Sequence, residues 1–316
     1  MHKIFVKALI VALGIVAGAA HAQEYPTRPV RIVVPWPAGG PTDILARLIG
    51  GVITKRTGQP VIVENKPGAQ TLIGMQIVAT APPDGYTLGF NTSQAMSLPA
   101  TVEKMPFDLV KDFTPIAKVI EGAQFMIISS SVPATNLQEF IAYAKANPGK
   151  LNWATSAGPL PQLLFNQAAG VDIPIIPYKG TPELQQAFLS GQVSVIYDNI
   201  NNINTLVSQG KAVVLASQGQ TRQAVLPNVP AFGEVLPKAA LNWWMYLYGP
   251  AGMPPATVAK LQGFAAEASK EADFIARGAA WNGQPVAVPS TVVTKLVADE
   301  VNAWVAAAKA AGLPKQ

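Results

Sequence analysis

Val33-Val34-Pro35-Trp36-Pro37-Ala38-Gly39-Gly40-Pro41-Thr42-Asp43 ties a β-branched run, Val30 to Val34, to an apolar-periodic segment carrying Ile44, Leu45, Leu48 and Ile49. Such a junction predicts a strand, a tight loop and a helix start in succession. Two adjacent glycines allow positive φ and let a ligand approach the backbone closely. Pro41 suits the first helical position and Asp43 the first turn, so the amides around Gly39 to Asp43 point outward at the positive end of a helix. A terminus of that kind is a ready anion site, and the same residues also serve as a plain strand-to-helix connection. The rest of the chain has to decide between the two.

Downstream, Val61-Ile62-Val63 reads as a second strand, Asn65-Lys66-Pro67-Gly68 as a loop, and Thr71 to Ala79 as a helix. The turn Pro82-Pro83-Asp84-Gly85 leads into a strand, Tyr86 to Phe90, with a polar end, Asn91-Thr92-Ser93-Gln94. This alternation predicts βαβ units and mixed, mainly parallel sheets in an α/β protein. Ligands then belong beyond the carboxyl ends of strands, where the opening loop and Asn91 to Gln94 both lie.

From Phe113 the order changes: two apolar runs, Ile116 to Ile120 and Phe125 to Ser129, follow each other with little helix between them. The chain is expected to cross there into a second lobe. Within it, Leu151 to Ala154 feeds Thr155-Ser156-Ala157-Gly158-Pro159-Leu160-Pro161-Gln162 and then a helix, repeating the logic of the opening stretch. Strands near Ile173, Gln192 to Tyr197 and Val213 to Ala216 complete that lobe, with Asp198-Asn199 at a carboxyl end. The aromatic strand Trp243 to Tyr248 carries the chain back. The expected division is a leader at 1–22, lobe one at 23–122, lobe two at 123–240, and a return to lobe one at 241–316. Two crossing segments make a hinge, and the ligand cleft lies between the lobes.

Composition sets the limits. Lys3 and Lys7 precede an apolar run, Ala8 to Ala19, too short to span a bilayer, and Ala20-His21-Ala22 fits a small-x-small cleavage pattern. The expectation is an export signal cleaved near Ala22 and a periplasmic protein. Losing that leader removes both histidines, His2 and His21, and the chain has no cysteine. Imidazole- or thiol-based catalysis, histidine-ligated zinc and haem are thereby excluded, and no metal or cofactor is expected. The leader takes two lysines and no acid, lowering the net charge from +5 to +3 without any basic run. Nucleic-acid binding is not expected of such a chain, while a small anionic ligand suits it.

The segment Tyr25 to Asp43 with Ala46-Arg47 resembles the start of a mature Bug protein, a receptor of the tripartite tricarboxylate transporter family. Glu64 to Ala69, Pro82 to Leu88, Pro177-Tyr178-Lys179-Gly180, Gly191-Gln192-Val193, Leu226 to Pro230 and Gly249 to Pro254 have family counterparts in the same order. The resemblance implies a two-lobe periplasmic binding protein, type II-like, that clamps an organic carboxylate and delivers it to membrane permease subunits. It implies a ligand held by Ala38, Gly39, Gly40, Thr42 and Asp43, with Ser93 and Gln94, against Thr155, Ser156, Ala157 and Gly158. Trp36 occupies the family's aromatic slot as a wall, and Asp198 matches a frequent acid at the cleft, either as a direct contact or as a helix cap or interlobe hydrogen-bond partner. The family usually has Ser where this chain has Pro41, and commonly His near Gln162, whose amide can hydrogen-bond but not charge. The expected protein is a monomer and not an enzyme. Two other outputs stay open at this stage: a carboxylate sensor that partners a membrane kinase, and an exported enzyme using Asp43 and Asp198 as an acid/base pair.

Overall fold

The computed structural model describes residues 25–155, 159–178, 181–310, 312 and 315. The leader, Ser156, Ala157 and Gly158 lie outside the described residues.

Two sheets form. The first runs β11-β4-β10-β3-β1-β2, using β1 (Val30–Val34), β2 (Val61–Asn65), β3 (Thr87–Thr92), β4 (Phe113–Gly122), β10 (Trp243–Pro250) and β11 (Gly283–Pro289). The second runs β7-β6-β8-β5-β9, using β5 (Phe125–Ser129), β6 (Trp153–Thr155), β7 (Ile175–Pro177), β8 (Val195–Asp198) and β9 (Ala212–Ser217). Each sheet is mixed. The βαβ half is parallel, with β1 between β2 and β3, and β6 between β7 and β8. The half built by the crossing strands is antiparallel. Together they make a two-lobe α/β fold of the periplasmic-binding-protein kind.

Helices cover both faces of the first sheet, which is why β1 is apolar on both faces apart from Arg31, which is ion-paired with Glu64. Val30, Ile32 and Val34 pack with Leu45, Ile49 and Ile53 of the helix Pro41–Thr57. Val33 faces the other cluster, with Val293, Val297 and Trp304 of the helix Ser290–Ala310. Gly89 is required in β3 because a Cβ there would stand 2.1 Å from the Tyr248 ring.

The lobes are joined at matching ends of their sheets. β4 passes into β5 through Ala123 and Gln124, and the return path runs from Gln218 to β10. The Gln218 backbone N donates to Gln124 O at 2.7 Å, and Leu241 N donates to Gln218 O at 2.7 Å, so the two crossings are bonded to each other. Leu160, which opens the second-lobe helix Leu160–Ala169, is buried in the first-lobe cluster that holds Ala95, Met96 and Trp244.

Several elements differ from the sequence reading, among them the short helices Leu98–Thr101, Ile200–Ser208 and Phe232–Val235. A helix at Ala272–Ala280 and strand β11 occupy the stretch between Ser269 and Thr291, where no element is expected. β11 contains Pro285 and ends at Pro289; it is tolerated because it is an edge strand whose pairing to β4 shifts register after Pro285.

One buried acid links the last helix to the first sheet. Glu300 Oε1 accepts from Trp244 Nε1 at 2.7 Å. Burial pushes its pKa up to about 7, against the opposing pull of the Trp244 hydrogen bond and of Lys118. Lys118 itself is ion-paired with Glu121. Because the folded state holds this proton more tightly than the unfolded chain, stability falls as pH rises between the ordinary glutamate range and about 7, and changes little from this group above that. Glu300→Gln keeps an acceptor for Trp244 without a charge to desolvate. Thermal unfolding should show the variant gaining on the wild type by on the order of 2 kcal/mol more at about pH 8 than at about pH 5.

Candidate functional site

The opening loop is held by a chain of hydrogen bonds that starts on β3. Asn91, fully buried, accepts from the Trp36 indole Nε1 at 2.7 Å and from Thr92 N at 2.8 Å. Trp36 O in turn accepts from Asn65 Nδ2 at 3.0 Å, and Asn65 Oδ1 faces Arg47 Nη2 at 3.4 Å. Arg47 binds Asp43, with Nε to Oδ2 at 3.1 Å and Nη2 to Oδ1 at 2.9 Å. Asp43 Oδ2 closes the chain by accepting from Gly39 N at 2.9 Å. Gly39 sits at φ +81°, a left-handed geometry that suits glycine.

This places Asp43 as the brace of the loop. Burial opposes its ionisation, but Arg47, the Gly39 N–H and Asn65 together hold the carboxyl below its usual range. The helix it starts has Gly40 at the N-cap with no side-chain cap and Pro near the first position. Backbone donors of its first turn are therefore left to an outside acceptor. Thr42 is buried beside them, while Ala38 and Gly39 are exposed at the loop tip.

Ser93 and Gln94 begin a short 3-10 turn after β3. Ser93 Oγ accepts from Trp244 N at 3.2 Å, which fixes the turn to β10 and leaves the hydroxyl proton to another partner. Gln94 is exposed.

In the second lobe, Thr155 is buried at the end of β6, and its carbonyl accepts from Tyr178 N at 2.8 Å. Gln162 is buried in the first turn of the following helix, with Nε2 donating to Ala154 O at 3.4 Å and Oε1 without a hydrogen-bond partner among the described residues. Asp198 has three donors: Gln185 Nε2 at 2.8 Å on Oδ2, and Asn199 N and Asn202 Nδ2, each at 2.7 Å, on Oδ1. All three come from its own lobe, so the acid caps and braces the end of β8.

The first-lobe residues Trp36 to Asp43, Ser93 and Gln94 thus gather at the carboxyl ends of β1 and β3, and Thr155, Gln162 and Asp198 at those of β6 and β8. Asn65 and Asn91 are the parts that sequence reading missed as supports. Each lies in a stretch already marked as a loop or a polar strand end, but the bond between Asn91 and Trp36 requires β1 and β3 to be neighbours. Among the described residues no group of three or more acidic, imidazole or thiol side chains gathers to hold a metal.

The fold and the two loop-to-helix junctions define a two-lobe binding protein. The sequence pattern of the tripartite tricarboxylate transporter family receptors matches residues 45–313, and the chain belongs to that family. A UPF0065 protein from the gbd 5' region of Cupriavidus necator is 37% identical over 264 residues, covering 81% of this chain and 80% of that protein. MatC of Rhodopseudomonas palustris, solved with bound malate, is 31% identical with a TM-score of 0.72, covering 90% of this chain and 100% of that one. An R. palustris protein solved with adipate is 28% identical with a TM-score of 0.76, covering 93% of this chain and 100% of that one.

Asp43→Asn removes the charge that holds both Arg47 and the loop. At neutral pH it should destabilise the protein by about 1–2 kcal/mol in thermal or urea unfolding. Since the folded carboxyl is held below its ordinary value, this stability is present above that value and is lost as pH falls through the folded one, so the deficit should shrink in acid.

Proposed function

We propose that the chain is a periplasmic solute-binding protein that captures an organic carboxylate between its lobes and delivers it to the membrane subunits of a tripartite tricarboxylate-type transporter. Residues 23–122 and 241–316 form one lobe and 123–240 the other, and the leader is removed near Ala22. The working unit is a monomer.

The observation that carries this reading is the uncapped start of the helix Pro41–Thr57, held rigid from Asn91 through Asp43. Backbone donors of Gly40, Thr42 and Asp43, aided by the Thr42 and Ser93 hydroxyls, hold one carboxylate. Ala38 and Gly39 shape the tip, Trp36 walls one side, and Gln94 closes the rim. Thr155 and Gln162 approach from the second lobe, and Asp198 braces that approach; Ser156, Ala157 and Gly158, expected beside them, lie outside the described residues. Neutral donors hold an anion without the desolvation cost of a buried lysine or arginine. The malate and adipate found in the two R. palustris relatives belong to the same ligand class.

Calorimetry across a carboxylate panel tests capture, and small-angle scattering with and without the tightest ligand tests closure. Thr42→Val should weaken that ligand about tenfold, the value of one charge-assisted hydrogen bond, with the melting temperature kept near the wild-type value. Unchanged affinity would put the ligand elsewhere.

A further inference from the structure

One apolar cluster is shared by the two lobes. Leu160, which opens the second-lobe helix Leu160–Ala169, is only 3% exposed in a cluster with Trp244 and with Val297, Val301 and Trp304 of the first-lobe helix Ser290–Ala310. Leu164, one turn further along, packs against the same cluster. Both leucines belong to the helix that follows the loop after β6, so their seat on the first lobe is a contact that separation of the lobes must break.

Glu300 stands in the wall of that seat. It lies one turn before Trp304 on the same side of its helix, and its Oε1 accepts from the Trp244 indole N–H at 2.7 Å. Trp244 backbone N donates to Ser93 Oγ at 3.2 Å, so the residue that Glu300 holds also fixes the turn at the carboxyl end of β3. The helix packs on β4, β11, the turn Ser93–Ser97, the short helix Leu98–Thr101 and the second-lobe helix. Of these only β4 brings charge, as Lys118 and Glu121, which pair with each other. β10 brings Tyr246 and Tyr248, whose hydroxyls burial keeps protonated at neutral pH. On the helix itself, Asp299 pairs with Lys295 at the exposed side. An ionised Glu300 therefore has the Trp244 N–H but no ion pair of its own among the described residues.

We propose that Glu300 is a proton-operated latch between the lobes: protonated, it completes the wall that seats Leu160 and Leu164, and ionised, it draws water to that wall and the seat opens. Its use, which rests on the carboxylate-capture reading given above, is to favour holding the ligand below neutral pH and releasing it above. Separating the lobes lifts the two leucines off the wall and lets water reach it, which relieves the burial that pushes the Glu300 pKa up to about 7. The joined state thus binds the proton more tightly than the separated one. Its contribution to joining is full below the separated-state value and is lost as pH rises through about 7. A ligand that bridges the lobes favours the same joined state, so ligand and proton support each other.

The chain has no cysteine, so two introduced ones carry spin labels without competition: Lys66→Cys, just past β2, and Gln186→Cys, on the helix Thr181–Leu189 after β7. Both positions are exposed, and β2 and β7 are the strands farthest from the crossings in their sheets. In the full mature protein the distance between labels, read at about pH 6 and about pH 8, should shift toward separated lobes at the higher pH, and in Glu300→Gln it should keep its low-pH form. Calorimetry with malate and with adipate, in buffers of different ionisation enthalpy, adds a second readout. The wild type should take up protons on binding at about pH 7 and lose at least about threefold in affinity between about pH 6 and about pH 8, and Glu300→Gln should show less of both. Distances that ignore pH, or that respond equally in Glu300→Gln, overturn the latch and leave capture untouched. Lobes that respond to pH through Glu300 in a protein that binds neither acid leave the latch standing and overturn its use in holding such ligands.

Discussion

The Trp36 indole N–H meets its acceptor, Asn91 Oδ1, at 2.7 Å in a fully buried position, and the geometry of the opening loop depends on that contact. Asn91 is itself fixed, because the same oxygen also accepts from Thr92 N. A buried amide with two donors on one oxygen has no freedom to flip. From there the order passes through Trp36 O, Asn65, Arg47 and Asp43 to Gly39 N, so the tip of the loop is positioned from two strands and a helix at once. A donor array held in this way binds an anion without first being ordered, and the entropy of ordering is not subtracted from affinity.

The same logic explains how Asp43, an acid, can stand at the mouth of the proposed carboxylate site. Its charge is spent on Arg47 and on one backbone amide. Arg47 lies half outside the protein, which limits its own contribution. Arg47 is thereby held sideways along the helix and kept away from the ligand. The site is left with neutral donors, a setting in which binding is firm but release needs no breaking of a buried ion pair. In the proposed role of handing a ligand to a permease, that balance matters more than maximal affinity. The lobes are tied by the two crossings, which are bonded to each other at Gln124, Gln218 and Leu241, and by the seat of Leu160 in the first-lobe cluster. Turning a 1:99 open-to-closed population into 99:1 takes about 5.5 kcal/mol of differential binding.

The helix start at Pro41 was legible because its signals are local: a β-branched run, two glycines, a proline and an acid within one turn. The return strand at Trp243 and the second junction at Thr155 were legible for the same reason. What escaped depends on contacts distant in sequence. Strand β11 carries prolines that argue against a strand, and only its edge position beside β4 makes room for them. Ala69, Gln70 and Thr71 all take positive φ, so the helix expected from Thr71 begins at Leu72. Nothing in those three side chains signals a left-handed turn; Gly74, packed against Pro35 and Lys66 O, fixes where the turn must fall. In the site, the pairing of Asp43 with Arg47 follows from helix spacing, whereas Asn91 with Trp36 follows only from strand order.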